Sequence, residues 1–521
     1  MLHLVSGALL GCSGGVVGAD YTLHLTPVAS ASQEPFEGVD QLDLVLTPAV
    51  GDPMRVTLDG AASGATPEVS GLPPLEDAQI VVEGYADGEL VLRGRTEPIT
   101  ASEGVVEADV FVARTEATAW LGSLGEGVHL PLLAPLGGGR FWLGGGAANN
   151  RAGEPRKGTD STHILSLAPP GEGLGFAAVG TLPAYVDADG ESQTERMGAA
   201  VTPLTVAGTD AGKLLVSGGA PIHPYLYDGQ PTASVALYDP ATDNWEELAE
   251  GSALREPRAL HLAVENLLGN VVLWGGLGVV DSDGVLLPGA IEFYDRAART
   301  VRELDVAALG HVSAAATDLG ADGTLLCGGA RLGGNGWSSS EICARVPIDG
   351  SSTESFEELP VGLAGAAMVT LPDGRVLITG GATASTAVDA DAYAEARGSA
   401  WLYNPDTGLW GALSGTMAVA RAGHRMVPLA DGRVLVIGGS QSFNPFFPPP
   451  DPISCIEVYD PESGVFTSVE DCTAEDDAGG LPGRAYEPQV AYDPAYGVLI
   501  VGGIDATGGA ASGVSIYVPG P

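Results

Sequence analysis

Six aromatic residues stand in short segments rich in Pro or Gly, where they could bind a ligand. They are Tyr225, Tyr227, Trp337, Phe443, Phe446 and Phe447. Aromatic rings at loop tips suit stacking on a sugar or docking of a peptide side chain. The alternative is that the rings fold back over the strand ends as local caps. We treat these six residues as candidate binding residues.

Acidic side chains form a second group, which could bind a hard cation. Asp187-Ala-Asp189-Gly190 and Asp281-Ser-Asp283-Gly284 alternate Asp with small residues, as calcium-binding loops do where they begin. Neither continues to a Glu at the spacing that an EF-hand requires, so solvated turns are the favoured interpretation. We therefore assign no metal site and no cofactor, and leave calcium open.

Histidines recur ahead of a set of glycine pairs described below, at His129, His261, His311 and His424. A ring of imidazoles could hold a metal, because neutral imidazole is a common metal ligand. The offsets of these histidines from the glycine pairs differ between repeats, which favours a structural role.

Catalysis and nucleic-acid binding find little support. The sequence contains no His-Glu-x-x-His and no sialidase-type Asp box, so we assign no catalytic residue. The net charge is −43, from 66 acidic and 23 basic residues. A surface of that sign repels a phosphate backbone, which argues against nucleic acid as a partner.

Four of the five cysteines fall into two close pairs, Cys327 with Cys343 and Cys455 with Cys472. Paired cysteines are typical of an oxidising compartment, where structural disulfides persist. We predict both disulfides, with four buried free thiols as the alternative. No Cys-x-x-Cys is present, so a zinc site is not expected.

The elements that must position these residues are strands, because 76 Gly and 37 Pro fit many short strands joined by tight turns. Seven Gly-Gly pairs follow apolar strands, at 145–146, 218–219, 275–276, 328–329, 380–381, 438–439 and 502–503. From the second pair onward the spacing is 52 to 64 residues, the size of a four-stranded propeller blade. Glycine pairs fit where backbones crowd and no Cβ is tolerated.

A second signature has the same period. Tyr238-Asp-Pro precedes Trp245, Tyr403-Asn-Pro precedes Trp410, and Tyr459-Asp-Pro precedes Phe466, and in each case the second aromatic residue is seven positions after the first. The Pro-containing turn makes the two rings face each other across a hairpin. Together with the glycine pairs, this pattern resembles the kelch repeat. The resemblance implies a kelch-type β-propeller over residues 116–521.

We predict seven blades, with six as the alternative because the first repeat lacks the Tyr-Asp-Pro step. The chain ends after the strand Val514–Val518, so another strand must complete the last sheet. Trp120–Leu124 has the pattern of that strand, and pairing of the two chain ends would close the ring and remove an exposed edge.

Residues 19–115 differ from the repeats. Apolar and polar residues alternate in short runs, and Asp87-Gly88 between two such runs is a strong hairpin signal. Six or seven strands in this length predict an immunoglobulin-like or transthyretin-like β-sandwich. The whole chain is therefore expected to be all-β.

Residues 1–18 carry Leu9-Leu10-Gly11-Cys12 after an apolar run and continue into a Gly-rich linker. This segment resembles the lipobox of bacterial lipoprotein signal peptides, which implies lipidation at Cys12 and a location at the outer membrane, facing the periplasm or the cell surface. No other stretch reaches the ~18 apolar residues of a spanning helix. Lipid is thus the only membrane attachment we expect.

These inferences combine into an expected function. The chain is expected to be a lipid-anchored propeller that binds a protein, peptide or glycan at the bacterial cell envelope, since a propeller alone does not imply chemistry. The kelch resemblance also implies an alternative, a carbohydrate-active enzyme of the galactose-oxidase-like or sialic-acid-mutarotase type. No Tyr-His dipeptide matches the ligand pair of the copper enzymes.

Overall fold

The structure is a computed structural model. It describes residues 19–28, 34–48, 52–59, 68–72, 75–96, 99–101, 104–125, 127–148, 158–167, 175–223, 229–248, 252–281, 284–285, 287–304, 310–333, 336–351, 356–384, 388–389, 391–469, 486–505 and 509–520. The lipidation candidate Cys12 lies outside the described residues. Within them, no helix is long and apolar enough to span a membrane.

The first eight strands form one sheet: β1 (Ala19–Val28), β2 (Gln41–Thr47), β3 (Met54–Asp59), β4 (Glu68–Leu72), β5 (Leu75–Ala86), β6 (Glu89–Arg95), β7 (Ile99–Ala101) and β8 (Gly104–Arg114). Their order is β3-β2-β5-β6-β8-β1-β4, with β7 on β5, and only β1 and β8 pair in parallel. The predicted hairpin at Asp87-Gly88 joins β5 to β6. Alternate residues such as Leu42, Leu44 and Leu46 are buried in one core, as their period of two predicts.

Thirty-nine further strands follow. They are β9 (Ala117–Ser123), β10 (Val128–His129), β11 (Leu132–Gly137), β12 (Arg140–Gly144), β13 (Ala147–Ala148), β14 (Ser161–Ser166), β15 (Gly175–Thr181), β16 (Tyr185–Val186), β17 (Ser192–Gln193), β18 (Ala200–Pro203), β19 (Leu214–Ser217), β20 (Val235–Asp239), β21 (Asn244–Glu247), β22 (Leu262–Glu265), β23 (Val271–Trp274), β24 (Val280–Asp281), β25 (Gly284–Val285), β26 (Glu292–Asp295), β27 (Thr300–Glu303), β28 (Ala315–Asp318), β29 (Thr324–Cys327), β30 (Ala330–Gly333), β31 (Gly336–Ser339), β32 (Ile342–Val346), β33 (Phe356–Glu358), β34 (Ala364–Thr370), β35 (Val376–Ala382), β36 (Val388–Asp389), β37 (Ala394–Glu395), β38 (Ala400–Asn404), β39 (Leu409–Ala412), β40 (Arg425–Pro428), β41 (Val434–Ile437), β42 (Ser442–Phe443), β43 (Ile456–Asp460), β44 (Val465–Ser468), β45 (Gln489–Asp493), β46 (Gly497–Val501) and β47 (Gly513–Val518). One 3₁₀ turn spans Gly320–Asp322.

Seven four-stranded antiparallel sheets account for most of these strands. In chain order they are sheet I (β11-β12-β14-β15), II (β18-β19-β20-β21), III (β22-β23-β26-β27), IV (β28-β29-β32-β33), V (β34-β35-β38-β39), VI (β40-β41-β43-β44) and VII (β45-β46-β47-β9). The first strand of each sheet contacts the first strand of the next, and β45 contacts β11, so the first strands surround a central channel. This all-β arrangement is consistent with a β-propeller.

Pairing of the chain ends closes the ring as predicted. Strand β9 pairs with β47, where Trp120 lies opposite Ser515. Just before β9, the Glu116 carboxylate accepts hydrogen bonds from Tyr517 Oη and from both Arg433 Nη atoms. Glu116 therefore joins sheets VI and VII at the point where the N-terminal part of the chain enters the ring.

The glycine pairs join neighbouring sheets. We call the residues that precede or begin the first strand of each sheet its lead-in segment. Wherever the facing lead-in segment is described, the second glycine donates its N–H to a carbonyl of that segment, over 2.7 to 3.3 Å. A Cβ on the first glycine would lie no more than 2.6 Å from the same carbonyl oxygen. These positions exclude any side chain, as the crowding argument predicts.

The aromatic signature has the predicted geometry. Tyr238 and Trp245 lie opposite each other on β20 and β21, with ring centroids 5.0 Å apart. Trp142 of sheet I packs against Tyr238, with centroids 5.4 Å apart. The Tyr and Trp rings thus hold adjacent sheets together away from the channel.

One predicted disulfide is confirmed. Cys327 and Cys343 lie opposite each other on β29 and β32 and are joined by a disulfide, with their Cα atoms 4.1 Å apart. Cys455 is disulfide-bonded as well. Its predicted partner Cys472 lies outside the described residues.

Gly380→Ala tests the crowding argument. Gly380 has a φ of 61°, and a Cβ there would collide with the carbonyl oxygen of Arg421. We expect this change to lower the free energy of unfolding by about 3 kcal/mol or more. In the matched control Gly374→Ala, φ is 83° but nothing lies within 4 Å of the new Cβ, so only the backbone cost of about 1 kcal/mol remains. Equal losses of stability, measured by chemical denaturation, would contradict the argument.

Candidate functional site

A cavity of about 850 Å³ lies at one end of the channel. It is lined by the lead-in segments of sheets I, II, III, IV, VI and VII and by residues 444–448, which follow β42. The polar groups that line it include His129, His223, Arg425, Glu487 and Gln489. A concave site with a few polar groups among apolar ones is typical of ligand pockets.

The rim of this cavity has a repeated backbone feature. Each lead-in segment contains one residue with φ between 51° and 69°, and we call these seven residues the left-handed ring: Leu130, Gly198, Leu260, Ser313, Gly365, Gly423 and Glu487. Backbone hydrogen bonds connect some of its members, such as Gly423 N to Gly365 O at 2.7 Å. In this backbone region the conformational energy of a residue with a Cβ is about 1 kcal/mol higher than that of glycine. Glu487 is the one member of the ring that carries a charge.

Glu487 places a carboxylate in the cavity. Its Oε2 lies 3.9 Å from Nε2 of His129, and its side chain is 22% exposed. Burial raises the pKa of Glu487, but electrostatic attraction by the neighbouring His129, Arg425 and His223 outweighs burial and holds the pKa below its ordinary value. The carboxylate is therefore ionised at neutral pH. It contacts sheet I from the lead-in segment of sheet VII.

Three of the candidate aromatic residues are buried, so the expectation that they are exposed is wrong. Trp337 and Phe443 are each 0% exposed, and Phe446 is 3% exposed. The Trp337 and Phe443 rings pack edge to face with centroids 5.8 Å apart, and Phe443 also lies against Gly365. The physical reason is that the long segments of sheets III to VI pack on one another in a hydrophobic cluster. The alternative, rings that cover the strand ends, describes these three residues.

Asn444 fixes the conformation of residues 444–448. Its Nδ2 donates to the carbonyl of Ala392 over 2.8 Å, and its Oδ1 accepts the backbone N–H groups of Phe446 at 2.8 Å and Phe447 at 3.2 Å. Phe446 and half-buried Phe447 consequently line the cavity.

Tyr225 and Tyr227 lie outside the described residues, and their binding role stays a prediction. The same is true of the binding role of Trp337 and Phe443, which do not line the cavity. Among the predicted aromatic residues, Phe446 and Phe447 are thus the two that the described structure brings to one site.

The histidines divide into two kinds. His261 Nε2 and Ser217 Oγ are 2.9 Å apart, and His424 Nε2 and Thr379 Oγ1 are 2.8 Å apart, so both imidazoles join neighbouring sheets at the same repeat position. Burial lowers the pKa of His261 to about 3, with a further contribution from Arg258. These two histidines are structural and neutral. His129, by contrast, faces Glu487.

The first of the two acidic segments considered for calcium forms a turn, whereas Asp283 of the second lies outside the described residues. Oδ1 of Asp187 accepts the backbone N–H groups of Asp189 at 3.1 Å and Glu191 at 2.9 Å, which is an Asx-type turn. Within the described ranges, no group of three or more His, Cys, Asp or Glu side chains could hold a metal ion.

Sequence reasoning missed Glu487, Arg425 and Asn444 as site residues. A signal for Glu487 was present. Aligning the repeats on their glycine pairs puts Glu487 in register with Gly365 and Gly423, each 15 residues before its pair, so a charged residue occupies a position that is glycine in two other repeats. Nothing in the spacing marks Arg425 or Asn444.

Comparison with known proteins gives a structural similarity but no family. No protein-family model and no curated protein matches the chain. Solved structures do match the chain. One of them, titled "Structure of YjhT", is 16% identical, with 67% of this chain and 99% of that chain covered at a TM-score of 0.44. This similarity says nothing of what the present chain binds.

His261→Gln tests the structural role of the buried imidazoles. Because burial depresses the pKa of His261 to about 3, the unfolded state binds one more proton below pH 6.5, so stability is full above that pH and falls as pH falls. Between pH 7 and pH 5 the wild type should lose about 2 kcal/mol more unfolding free energy than His261→Gln, measured by urea denaturation. His24→Gln, at a side chain that is 44% exposed, is the control and should follow the wild type. Parallel curves for His261→Gln and the wild type would refute the role.

Proposed function

We propose that the chain is a saccharide-binding protein of the bacterial cell envelope. Its architecture would be a seven-bladed kelch-type β-propeller over residues 116–521, preceded by a β-sandwich over residues 19–115. Seven four-stranded sheets with contacting first strands support seven blades over six. Residues from most strands of the first sheet, such as Leu44, Ile80 and Val110, share one core, which supports a sandwich made of two halves of one curved sheet.

The cavity is the observation that carries the function. Its volume of about 850 Å³ suits a short saccharide. Half-buried Phe447 supplies aromatic surface for stacking on a sugar ring, and Glu487, Arg425 and Gln489 supply acceptors and donors for hydroxyl groups. A peptide would use the same groups, but it would bind better along an open groove than in a cavity covered on one side by residues 444–448.

A lipid anchor at Cys12 would place this cavity in the periplasm or at the cell surface. The cysteine chemistry supports an extracytoplasmic location, because Cys327, Cys343 and Cys455 are disulfide-bonded. Membrane attachment would then be through lipid alone.

A second candidate is a carbohydrate-active enzyme. The Glu487–His129 pair, 3.9 Å apart in the cavity, has the residue types for proton transfer to or from a sugar hydroxyl. A copper enzyme of the galactose-oxidase type is less well supported, because the three disulfide-bonded cysteines are not available for a cross-link to tyrosine. Stoichiometric copper in the purified protein, measured by elemental analysis, would reverse this preference.

Phe447→Ala tests the cavity as the saccharide site. Glycan-array screening of the whole chain identifies a binding saccharide, and calorimetry measures its dissociation constant. We expect Phe447→Ala to raise that constant about tenfold, or ~1.4 kcal/mol, through loss of ring stacking. Phe176→Ala removes a ring that is 43% exposed on β15 and should leave affinity unchanged. Equal effects of the two changes would place the ligand elsewhere.

Cys12→Ala tests the anchor. In a bacterial host supplied with labelled palmitate, the wild type should be labelled and sediment with membranes. The variant should be unlabelled and soluble, since a lipid chain contributes about 0.8 kcal/mol per buried CH₂ to membrane binding. Cys472→Ala, which leaves the leader intact, should still be labelled. Label on the Cys12→Ala protein would contradict the assignment.

A further inference from the structure

Glu487 stands where the backbone favours glycine. Five members of the left-handed ring line the cavity, namely Leu130, Gly198, Leu260, Ser313 and Glu487. The other two, Gly365 and Gly423, lie under the rings of Phe443 and Tyr486. Residues at the five open positions therefore face whatever occupies the cavity. Leu130, Leu260 and Ser313 carry a Cβ at such positions as well, but Glu487 is the ring member that brings a charge to the cavity, and a charged group held in a strained conformation points to function.

The surroundings of Glu487 leave its carboxylate able to act on a ligand. His129 lies 3.9 Å away, and 22% of the Glu487 side chain is exposed. Arg425 also lines the cavity and donates from Nε to the carbonyl of Pro488 over 3.2 Å. The charges of Glu487 and Arg425 offset one another, so the cavity itself has no large excess of positive charge.

The charge of the whole chain then decides which ligands can approach. A net charge of −43 gives a negative potential around the protein, which lowers the local concentration of anions and raises that of cations. A neutral saccharide is unaffected by this field, and an amino sugar is attracted by it.

We propose that Glu487 is the specificity-determining residue of the cavity, accepting hydrogen bonds from hydroxyl or ammonium groups of a neutral or amine-bearing saccharide and excluding acidic saccharides. This inference rests on the proposed saccharide-binding function. An ionised carboxylate accepts hydrogen bonds and donates none, so it pairs with hydroxyl and ammonium groups and repels a sugar carboxylate.

The test compares three trisaccharides of equal length with the whole chain, by calorimetry at low and at physiological salt. The probes are tri-N-acetylchitotriose (neutral), chitotriose (amine-bearing) and trigalacturonate (acidic). We expect the neutral or amine-bearing trimer to bind at least about tenfold more tightly than trigalacturonate. The preference for the amine-bearing trimer should weaken as salt screens the field.

Two substitutions separate a ligand-binding role from a structural one. Glu487→Gln keeps the size of the side chain and removes its charge, so it should weaken the discrimination against trigalacturonate at physiological salt, where the field of the whole chain is largely screened. Glu487→Gly restores the residue that the backbone favours, so its melting temperature should be no lower than that of the wild type while affinity falls at least about tenfold. Asp87→Gly is the matched control, an acidic residue with φ of 51° in the first sheet, and should leave binding unchanged.

Each outcome decides the proposal. Trigalacturonate binding as tightly as the other trimers, or unchanged discrimination in Glu487→Gln, overturns the inference and leaves saccharide binding standing. A large fall in the melting temperature of Glu487→Gly assigns Glu487 a structural role and also overturns it. No binding of any trimer, together with an empty glycan array, rejects the proposed function itself.

Discussion

The hydrogen bond from the second glycine of each pair to the facing lead-in segment is the contact on which the ring depends. Gly381 N, for example, donates to Arg421 O over 2.9 Å. This bond requires two backbones to approach so closely that the preceding residue, Gly380, cannot carry a Cβ. The chain must then turn sharply to enter the next first strand, and the left-handed residue two positions after the acceptor makes that turn. Sheet joining and cavity rim are therefore consequences of one contact.

The fold was predictable because this contact and the Tyr–Trp hairpins leave marks in the sequence. The glycine pairs, the step of seven residues at Tyr403 and Trp410, and the closing strand at Trp120 are all local patterns. The site was less predictable because its residues meet through packing between repeats. Trp337 and Phe443 stand in segments whose composition is typical of exposed loop tips. Packing between segments of different sheets nevertheless buries the two rings against each other. Spacing along the chain carries no information on that packing.

Buried arginines occupy the same position in three of the sheets, and comparing them shows which part of the repeat joins neighbouring sheets. Arg258 and Arg421 each pair with a glutamate of the third strand of their own sheet, Glu292 at 2.6 Å in the case of Arg258. Arg196 has the same position in sheet II, but Ala236 stands in place of the glutamate, and the guanidinium lies 4.5 Å from the centre of the Tyr185 ring. Burial lowers the pKa of Arg196 to about 10, with the ring offsetting part of the cost. The contact between sheets I and II forms without the glutamate, because the N–H of Gly146 bonds to the backbone carbonyl of Arg196 and not to its side chain.

The charged side of the cavity lies at the junction of the two sheets that the chain ends complete. His129 belongs to the lead-in segment of sheet I and Glu487 to that of sheet VII. Sheet VII has four strands only when β9 pairs with β47, and the Glu116 carboxylate holds that pairing through Tyr517. The His129–Glu487 contact thus forms only in the closed ring. A carboxylate at a left-handed position is tolerated here because closure holds the backbone from both sides.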